Sequence, residues 1–256
     1  MAHLQVENLS ISFGGVRALT GVSFGVEKGE IYSIIGPNGA GKTTVFNCIS
    51  GLYKPNAGKI LFKDQDITPL KPYQVALSGI ARTFQNIELF SHMTTMDNLM
   101  LGRHTKLQTG VWSGATFLTR NSKAARQEIQ QRERVEEIID FLELQAARNQ
   151  YVINLPYGTQ KLIELGRALT LEPEVLLLDE PSAGMNLEEK ESLIFSIRDI
   201  RDDFGVTILL VEHDMNLVMD ISDRILALNF GQVIAEGVPE QIQKHPEVLK
   251  AYLGEG

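Results

Sequence analysis

Residues 36–44 read Gly-Pro-Asn-Gly-Ala-Gly-Lys-Thr-Thr, which fits the spacing G-x-x-x-x-G-K-[ST]. That spacing suits one kind of chemistry. Gly36, Gly39 and Gly41 let the backbone turn so that successive N–H groups face inward, where they can hold phosphate oxygens. A helix starting near Lys42 adds its positive end. Lys42 can reach β- and γ-phosphates, and the Thr43 hydroxyl can ligate Mg2+. Pro37, Asn38, Ala40 and Thr44 complete the candidate nucleotide-binding stretch. A second group lies at residues 174–180, Glu-Val-Leu-Leu-Leu-Asp-Glu. An apolar strand there would deliver Asp179 to its carboxyl end, where open α/β sheets bind ligands. Asp179 can hold Mg2+ through water, and Glu180 can act as base for an attacking water.

These groups need a scaffold, and the surrounding patterns supply one. Residues 31–35 form a short apolar run that ends at Gly36, as a buried strand would. Residues 43–51 read as a helix closed by glycine. Residues 175–178 and 206–211 are short β-branched or leucine runs, with helical spacing at 188–201 between them. That alternation predicts a mainly parallel sheet with crossover helices. Nearer the start, Leu4, Val6, Leu9, Ile11 and Phe13 read as a strand, with a turn at Gly14-Gly15, and Val22, Phe24 and Val26 alternate in a second one.

Residues 86–171 have another texture. Ile129, Val135, Ile138, Ile139 and Leu142 fall at helical spacing, and 97–101 and 160–171 also look helical. The block reads as a helical subdomain (86–171) inserted between the two halves (1–85 and 172–256) of a single α/β domain. Residues 107–121, with Val111, Trp112 and Phe117 among Gly, Ser and Thr, are assigned no element.

Composition narrows the function classes. A chain of 256 residues fits one globular unit with a subdomain. The net charge of −8 argues against a duplex nucleic-acid surface. The basic stretch at 120–134 alternates with Glu128 and Glu133, as a solvated helix face does. Cys48 is the single cysteine, which excludes an internal disulfide, fits a reducing compartment and reads as a small buried helix residue. His92 and His104 lack the spacing of a metal site and are expected to be exposed. No signal peptide is expected, and no stretch approaches the roughly 18 apolar residues of a membrane span. Any membrane role is therefore expected to run through a protein partner.

Over essentially its whole length the chain resembles the ATP-binding cassette superfamily. Four further segments occur in that family's order. Phe13 matches the aromatic on which adenine stacks. Gln85, in Ala-Arg-Thr-Phe-Gln-Asn, matches the glutamine that contacts Mg2+ and the attacking water. Residues 155–160, which begin Leu155, Pro156, Tyr157, Gly158, Thr159, match the signature loop, and His213 matches the γ-phosphate-sensing histidine. Ser182, Ala183, Gly184, Met185 and Asn186 match the loop that crosses to a partner cassette, with Asn186 where aspartate is usual. The finer resemblance is to ATPases of branched-chain amino acid importers (LivG-like). It is carried by residues 81–86, the segment between Leu101 and Gln127, 171–186, 211–219 and 245–254.

The resemblance implies a P-loop NTPase (RecA-like) core with an N-terminal antiparallel β subdomain and an inserted α-helical subdomain. It implies an ATPase using ATP and Mg2+, with Lys42, Gln85, Glu180 and His213 catalytic and Thr43, Gln85 and Asp179 around the metal. It also implies a second cassette subunit in a heterodimer, two membrane permease subunits, indirectly a solute-binding protein, no nucleic acid, and a place at the cytoplasmic face of the inner membrane. Part of 87–100 would receive a coupling helix of the permease. Cassettes for urea, other amides or lipopolysaccharide export share several of these features, and a soluble non-transport cassette is a further alternative. The signature departs from Leu-Ser-Gly-Gly-Gln: Pro156 replaces serine, Tyr157 the first glycine and Thr159 the glutamine. Two readings stay open, harmless subfamily drift or two unequal ATP sites in a heterodimer.

Overall fold

The computed structural model describes residues 2–83, 85–103 and 123–253. The unassigned stretch at 107–121, His104, and most of the segment between Leu101 and Gln127 lie outside these residues. The chain divides into two compact units, one of Met1–Gln85 with Pro173–Gly256 and one of Asn86–Glu172.

In chain order, the first unit opens with β1 (Leu4–Phe13), β2 (Val16–Val26), β3 (Ile31–Ile35), α1 (Lys42–Ile49), β4 (Ala57–Phe62), β5 (Gln65–Asp66), α2 (Pro72–Ser78) and β6 (Ile80–Arg82). The second unit holds α3 (Thr95–Arg103), α4 (Lys123–Phe141) and α5 (Tyr157–Leu169). The first unit resumes with β7 (Val175–Asp179), α6 (Leu187–Phe204), β8 (Thr207–Val211), α7 (Met215–Ile221), β9 (Arg224–Asn229), β10 (Gln232–Gly237), α8 (Pro239–Ile242) and α9 (Pro246–Leu253).

Among the described residues the first unit carries two sheets. A four-stranded antiparallel sheet has the order β2-β1-β4-β5. Its alternating apolar residues, Leu4, Val6, Leu9 and Ile11, are all buried. The alternation slips by one between Val6 and Leu9, where the register shifts and Asn8 takes φ +50°. The second sheet has the order β10-β9-β3-β8-β7-β6. Its strands are parallel except for the antiparallel β9–β10 pair.

Every residue of β3, β7 and β8 is buried. That explains their short continuous apolar runs, because both faces of a parallel sheet are covered. The two faces are visible within β3 itself. Ile34 packs in a cluster with Val45, Phe46, Leu177 and Val211, whereas Ile35 packs with Val218, Ala227, Ile242 and Val248. Helix α1 therefore lies under one face and α7, α8 and α9 under the other. Strands β4, β5, β6, β9 and β10 have no counterpart in the sequence reading.

In the second unit the buried residues of α4 include Val135, Ile138 and Ile139, while Ile129, from the same helical pattern, is exposed. Gly166 explains how the helices close on one another. A Cβ there would come within 3.0 Å of Leu142 and 3.1 Å of Leu99, so only glycine admits this approach without displacement. Asn98 is buried and holds the preceding loop. It accepts from the Phe90 N–H at 2.9 Å and donates to the Phe90 carbonyl at 3.0 Å.

Cys48 is buried on α1, and burial pushes its thiol up to about 11. The native chain should therefore resist alkylation by iodoacetamide at pH 8, because little thiolate forms and access is blocked. The same thiol should react fully in guanidinium chloride; rapid labelling of the native chain would contradict this packing.

Candidate active site

Strand β3 ends at Ile35, in the middle of the parallel sheet, and the chain turns at once into the glycine loop. Gly36 has φ +152°, and a Cβ there would fall 2.2 Å from the Leu228 carbonyl oxygen. Gly41, the N-cap of α1, has φ +103°, and its Cβ would lie 2.7 Å from the Leu19 side chain. Both positions exclude any side chain, so the loop lies tight against β2 and β9. Within the loop the Ala40 N–H donates to the Pro37 carbonyl at 3.1 Å, and the Ala40 carbonyl accepts from Gly231 at 3.0 Å. Lys42 is buried, and its ammonium donates to the carbonyls of Gly36 (2.8 Å) and Pro37 (3.1 Å). Burial lowers its pKa, and the charges of Glu180 and Asp179 oppose that shift. Thr43 and Thr44 follow in the first turn of α1, with Thr43 exposed.

Strand β7 runs parallel to β8, with Asp179 opposite Val211. Asp179 is buried. Its Oδ2 accepts from Arg82 Nη2 at 2.8 Å in an ion pair whose side chains are only 8% and 3% exposed. Its Oδ1 is also buried and accepts no hydrogen bond among the described residues. Burial raises the carboxyl pKa, and the Arg82 guanidinium works against the rise. Arg82 also donates to Asn47 Oδ1 (2.7 Å) and Ser50 Oγ (3.1 Å) on and just after α1. It therefore ties the helix that starts at the phosphate loop to the end of β7.

Glu180 begins the next loop with φ +49°, a left-handed conformation uncommon for a residue with a side chain. Its N–H donates to the Val211 carbonyl at 2.8 Å. The carboxylate is held at both oxygens: His213 Nε2 lies 2.9 Å from Oε1, and Gln85 Nε2 donates to Oε2 at 2.8 Å. Gln85, Glu180 and His213 thus converge on one point. Glu212 is buried. It accepts from the N–H of Ser182 (2.8 Å) and of His213 (3.0 Å).

The loop at 182–186 is short and internally bonded, with Met185 N–H donating to the Ser182 carbonyl at 3.1 Å. Ser182 and Met185 are buried, Ala183 is half-buried, and Gly184 takes φ +80°. Asn186 caps α6: its side chain accepts from the Glu189 N–H at 3.0 Å, and Glu189 reciprocates at 2.9 Å. Asparagine caps as well as aspartate, so local structure tolerates the departure at this position. Phe13 ends β1, is 44% exposed, and meets Tyr53 edge-on with 5.0 Å between ring centroids.

The signature residues lie in the second unit. Leu155 is buried, Pro156 is the N-cap of α5 without a side-chain cap, and Tyr157 is exposed with the Lys161 ammonium 5.9 Å from its ring centre. Gly158 is buried and Thr159 is the third residue of α5. Sequence reasoning missed Arg82 and Asn47. The available signal for Arg82 was a single guanidinium in an otherwise apolar strand.

Mg2+ would fit the first unit's site. The buried Asp179 Oδ1 is an acceptor without a hydrogen-bond partner among the described residues, as a metal-bound water requires. No group of three or more His, Cys, Asp and Glu that could hold a metal occurs among the described residues. An ion held mainly by phosphate oxygens, with one carboxylate and one hydroxyl from the protein, matches that donor set.

A glycine loop feeding α1 from β3, with an Asp-Glu pair leaving the parallel strand β7 one strand beyond β8, defines an ATPase cassette, and the chain belongs to the ABC transporter family. Residues 19–183 match the family described as ABC transporter, and residues 232–256 match the one described as branched-chain amino acid ATP-binding cassette transporter. The chain is 44% identical to the high-affinity branched-chain amino acid transport ATP-binding protein LivG of Escherichia coli (strain K12), over 98% of each protein. It is 42% identical to the protein of the same description, BraF, of Pseudomonas aeruginosa, again over 98% of each. Among solved structures it is similar to the ADP conformation of MJ1267, an ATP-binding cassette of an ABC transporter, with a TM-score of 0.86, 32% identity and full coverage of both chains. The expected fold class, a P-loop core with an antiparallel sheet and a helical subdomain, is borne out. The chain binds and hydrolyses ATP.

The buried pairing of Arg82 with Asp179 can be tested by mutation. Removing one partner leaves a buried uncompensated charge, at a typical cost of about 3–5 kcal/mol. Arg82→Gln should therefore destabilise strongly in urea melts, and adding Asp179→Asn should recover part of the loss. Additive losses in the double variant would mean that the pair is not coupled.

Proposed function

We propose that this chain is the ATP-hydrolysing subunit of an importer for branched-chain or other amino acids. The observation that carries the catalytic part is the Glu180 carboxylate, held at one oxygen by His213 and at the other by Gln85, beside the lysine loop. The amino-acid part rests on the relatives' described roles and on the match at residues 232–256.

In this reading the loop N–H groups of 36–44 and Lys42 bind the triphosphate, and Phe13 offers its exposed ring to adenine. Thr43, Gln85 and Asp179 would hold Mg2+, which would supply positive charge against the triphosphate. Glu180 accepts the proton of the attacking water, with His213 and Gln85 fixing the orientation of its oxygens. Phosphoryl transfer asks the protein for positioning and charge stabilisation above all, and these groups provide both.

No helix among the described residues is long and apolar enough to cross a membrane. As a transport ATPase, the chain acts at the membrane as a peripheral subunit of permease partners. The finer assembly is part of the proposal: a heterodimer with a second cassette, two permease subunits, a solute-binding protein behind them, and docking at the cytoplasmic face. The exposed Phe90 on the loop before α3 suits the surface that receives a coupling helix. Residues 155–159 and 182–186 would face the partner cassette. Pro156 can offer neither hydroxyl nor N–H to the partner's ATP, which supports unequal sites.

Lys42→Ala should abolish Mg-ATP binding by titration calorimetry. Glu180→Gln should lower kcat by about 10²–10⁴-fold, the usual worth of a general base, while affinity is retained. Unchanged turnover in either variant would contradict these assignments. In proteoliposomes with the permeases, ATPase should be stimulated by a binding protein loaded with leucine, isoleucine or valine. Stimulation by urea alone would replace the amino-acid reading. Introducing Glu→Gln in each cassette in turn should give unequal losses of transport; equal losses would remove the asymmetry.

A further inference from the structure

The carboxyl-terminal helix reaches the phosphate loop. Val248 of α9 is buried in the cluster that contains Ile35, the last residue of β3. Four residues on, and so on the same helical face, Tyr252 lies beside the next residue of that strand-to-loop junction. The Gly36 N–H donates to the Tyr252 hydroxyl at 2.8 Å. Glu247, Lys250 and Ala251 of α9 line a cleft of about 510 Å3 whose other wall includes Pro37, Asn38 and Gly39.

Gly36 is thus gripped at both ends of its peptide environment. Its carbonyl accepts from Lys42 and its N–H is taken by Tyr252. The grip matters because the loop has little rigidity of its own. Gly36, Gly39 and Gly41 all have positive φ, and an added Cβ at Gly39 would meet nothing within 4 Å. Glycine loses more conformational freedom on ordering than any other residue, so a loop built from it binds well only when something outside holds its shape. An N–H at the first loop residue, already bonded to a side chain from another element, is the right handle for that purpose.

We propose that Tyr252 is a positioning residue for ATP: its hydroxyl fixes the start of the phosphate loop, and α9 exists in part to deliver it. This rests on the loop at 36–44 being the ATP site. The role is one of pre-organisation, so it affects nucleotide binding before it affects the chemical step.

The test uses the full-length chain. Tyr252→Phe keeps the ring and removes only the hydroxyl. KM for ATP and the Mg-ATP dissociation constant should rise about two- to tenfold, the effect of losing one hydrogen bond, with a smaller change in kcat and a melting temperature close to that of the parent. Leu249→Ala, at an exposed position of α9, should leave KM where it was. An unchanged KM in Tyr252→Phe would overturn the proposal, as would an equal rise in Leu249→Ala, which would trace the effect to helix integrity. Lys42→Ala reports on the ATP site independently. If it abolishes binding while Tyr252→Phe does nothing, this inference fails and the site assignment stands.

Discussion

Three parallel strands in one register create this site. Ile34 of β3 pairs with Val211 of β8, and Val211 pairs with Asp179 of β7. Three chain ends therefore emerge side by side, and the residues just beyond each become part of the machinery: the glycine loop after Ile35, Glu180 after Asp179, and His213 just past Val211. Side chains alternate along a strand with a period of two, so a slip of one residue would send Asp179 to the opposite face of the sheet. Complete burial of β3, β7 and β8 is what forbids the slip, since every residue is matched to a covered face.

The same burial raises an electrostatic problem that the fold solves with partners. Lys42 and Asp179 lie where water is scarce, and burial moves both pKa values toward the neutral forms. Arg82 opposes the shift at Asp179 and donates from Nη1 to Asn47 and Ser50. Lys42 keeps its ammonium on two loop carbonyls. Glu180 sits in a left-handed backbone conformation that costs of order 1–3 kcal/mol, offset by its N–H bond to Val211 and by the two side chains on its carboxylate. Groups held this way need little rearrangement when a highly charged ligand arrives, which is the physical content of pre-organisation.

Much of this was legible in the sequence, for identifiable reasons. The phosphate loop and the Asp-Glu pair are local: residue types and spacing within a few positions carry the chemistry, and short apolar runs announce the buried strands. What stayed hidden depends on partners far along the chain. Arg82 meets Asp179 across 97 residues, and Glu212 reaches Ser182 across 30. Tyr252 is 216 residues from Gly36, and nothing near it hints at a role. Strands β4 and β10 were missed because their residues are mixed in exposure and lack a clean alternation, and β5 because it is only two exposed residues; the buried apolar run at 225–228 in β9 was passed over although it has the texture of β7. Helical spacing placed Ile129 with the core residues of α4, yet it is exposed, because spacing gives the helix without saying which turns find a neighbour.

Three adjacent strand ends, on this view, form one site for a triphosphate and a water. A crystal structure with Mg2+ and a non-hydrolysable ATP analogue tests that most directly. It should show the β- and γ-phosphates within hydrogen-bonding reach of Lys42 and the loop N–H groups, a metal-bound water at Asp179 Oδ1, and a second water between Glu180 and the γ-phosphate. Nucleotide bound away from residues 36–44, or a γ-phosphate remote from both Asp179 and Glu180, would contradict it.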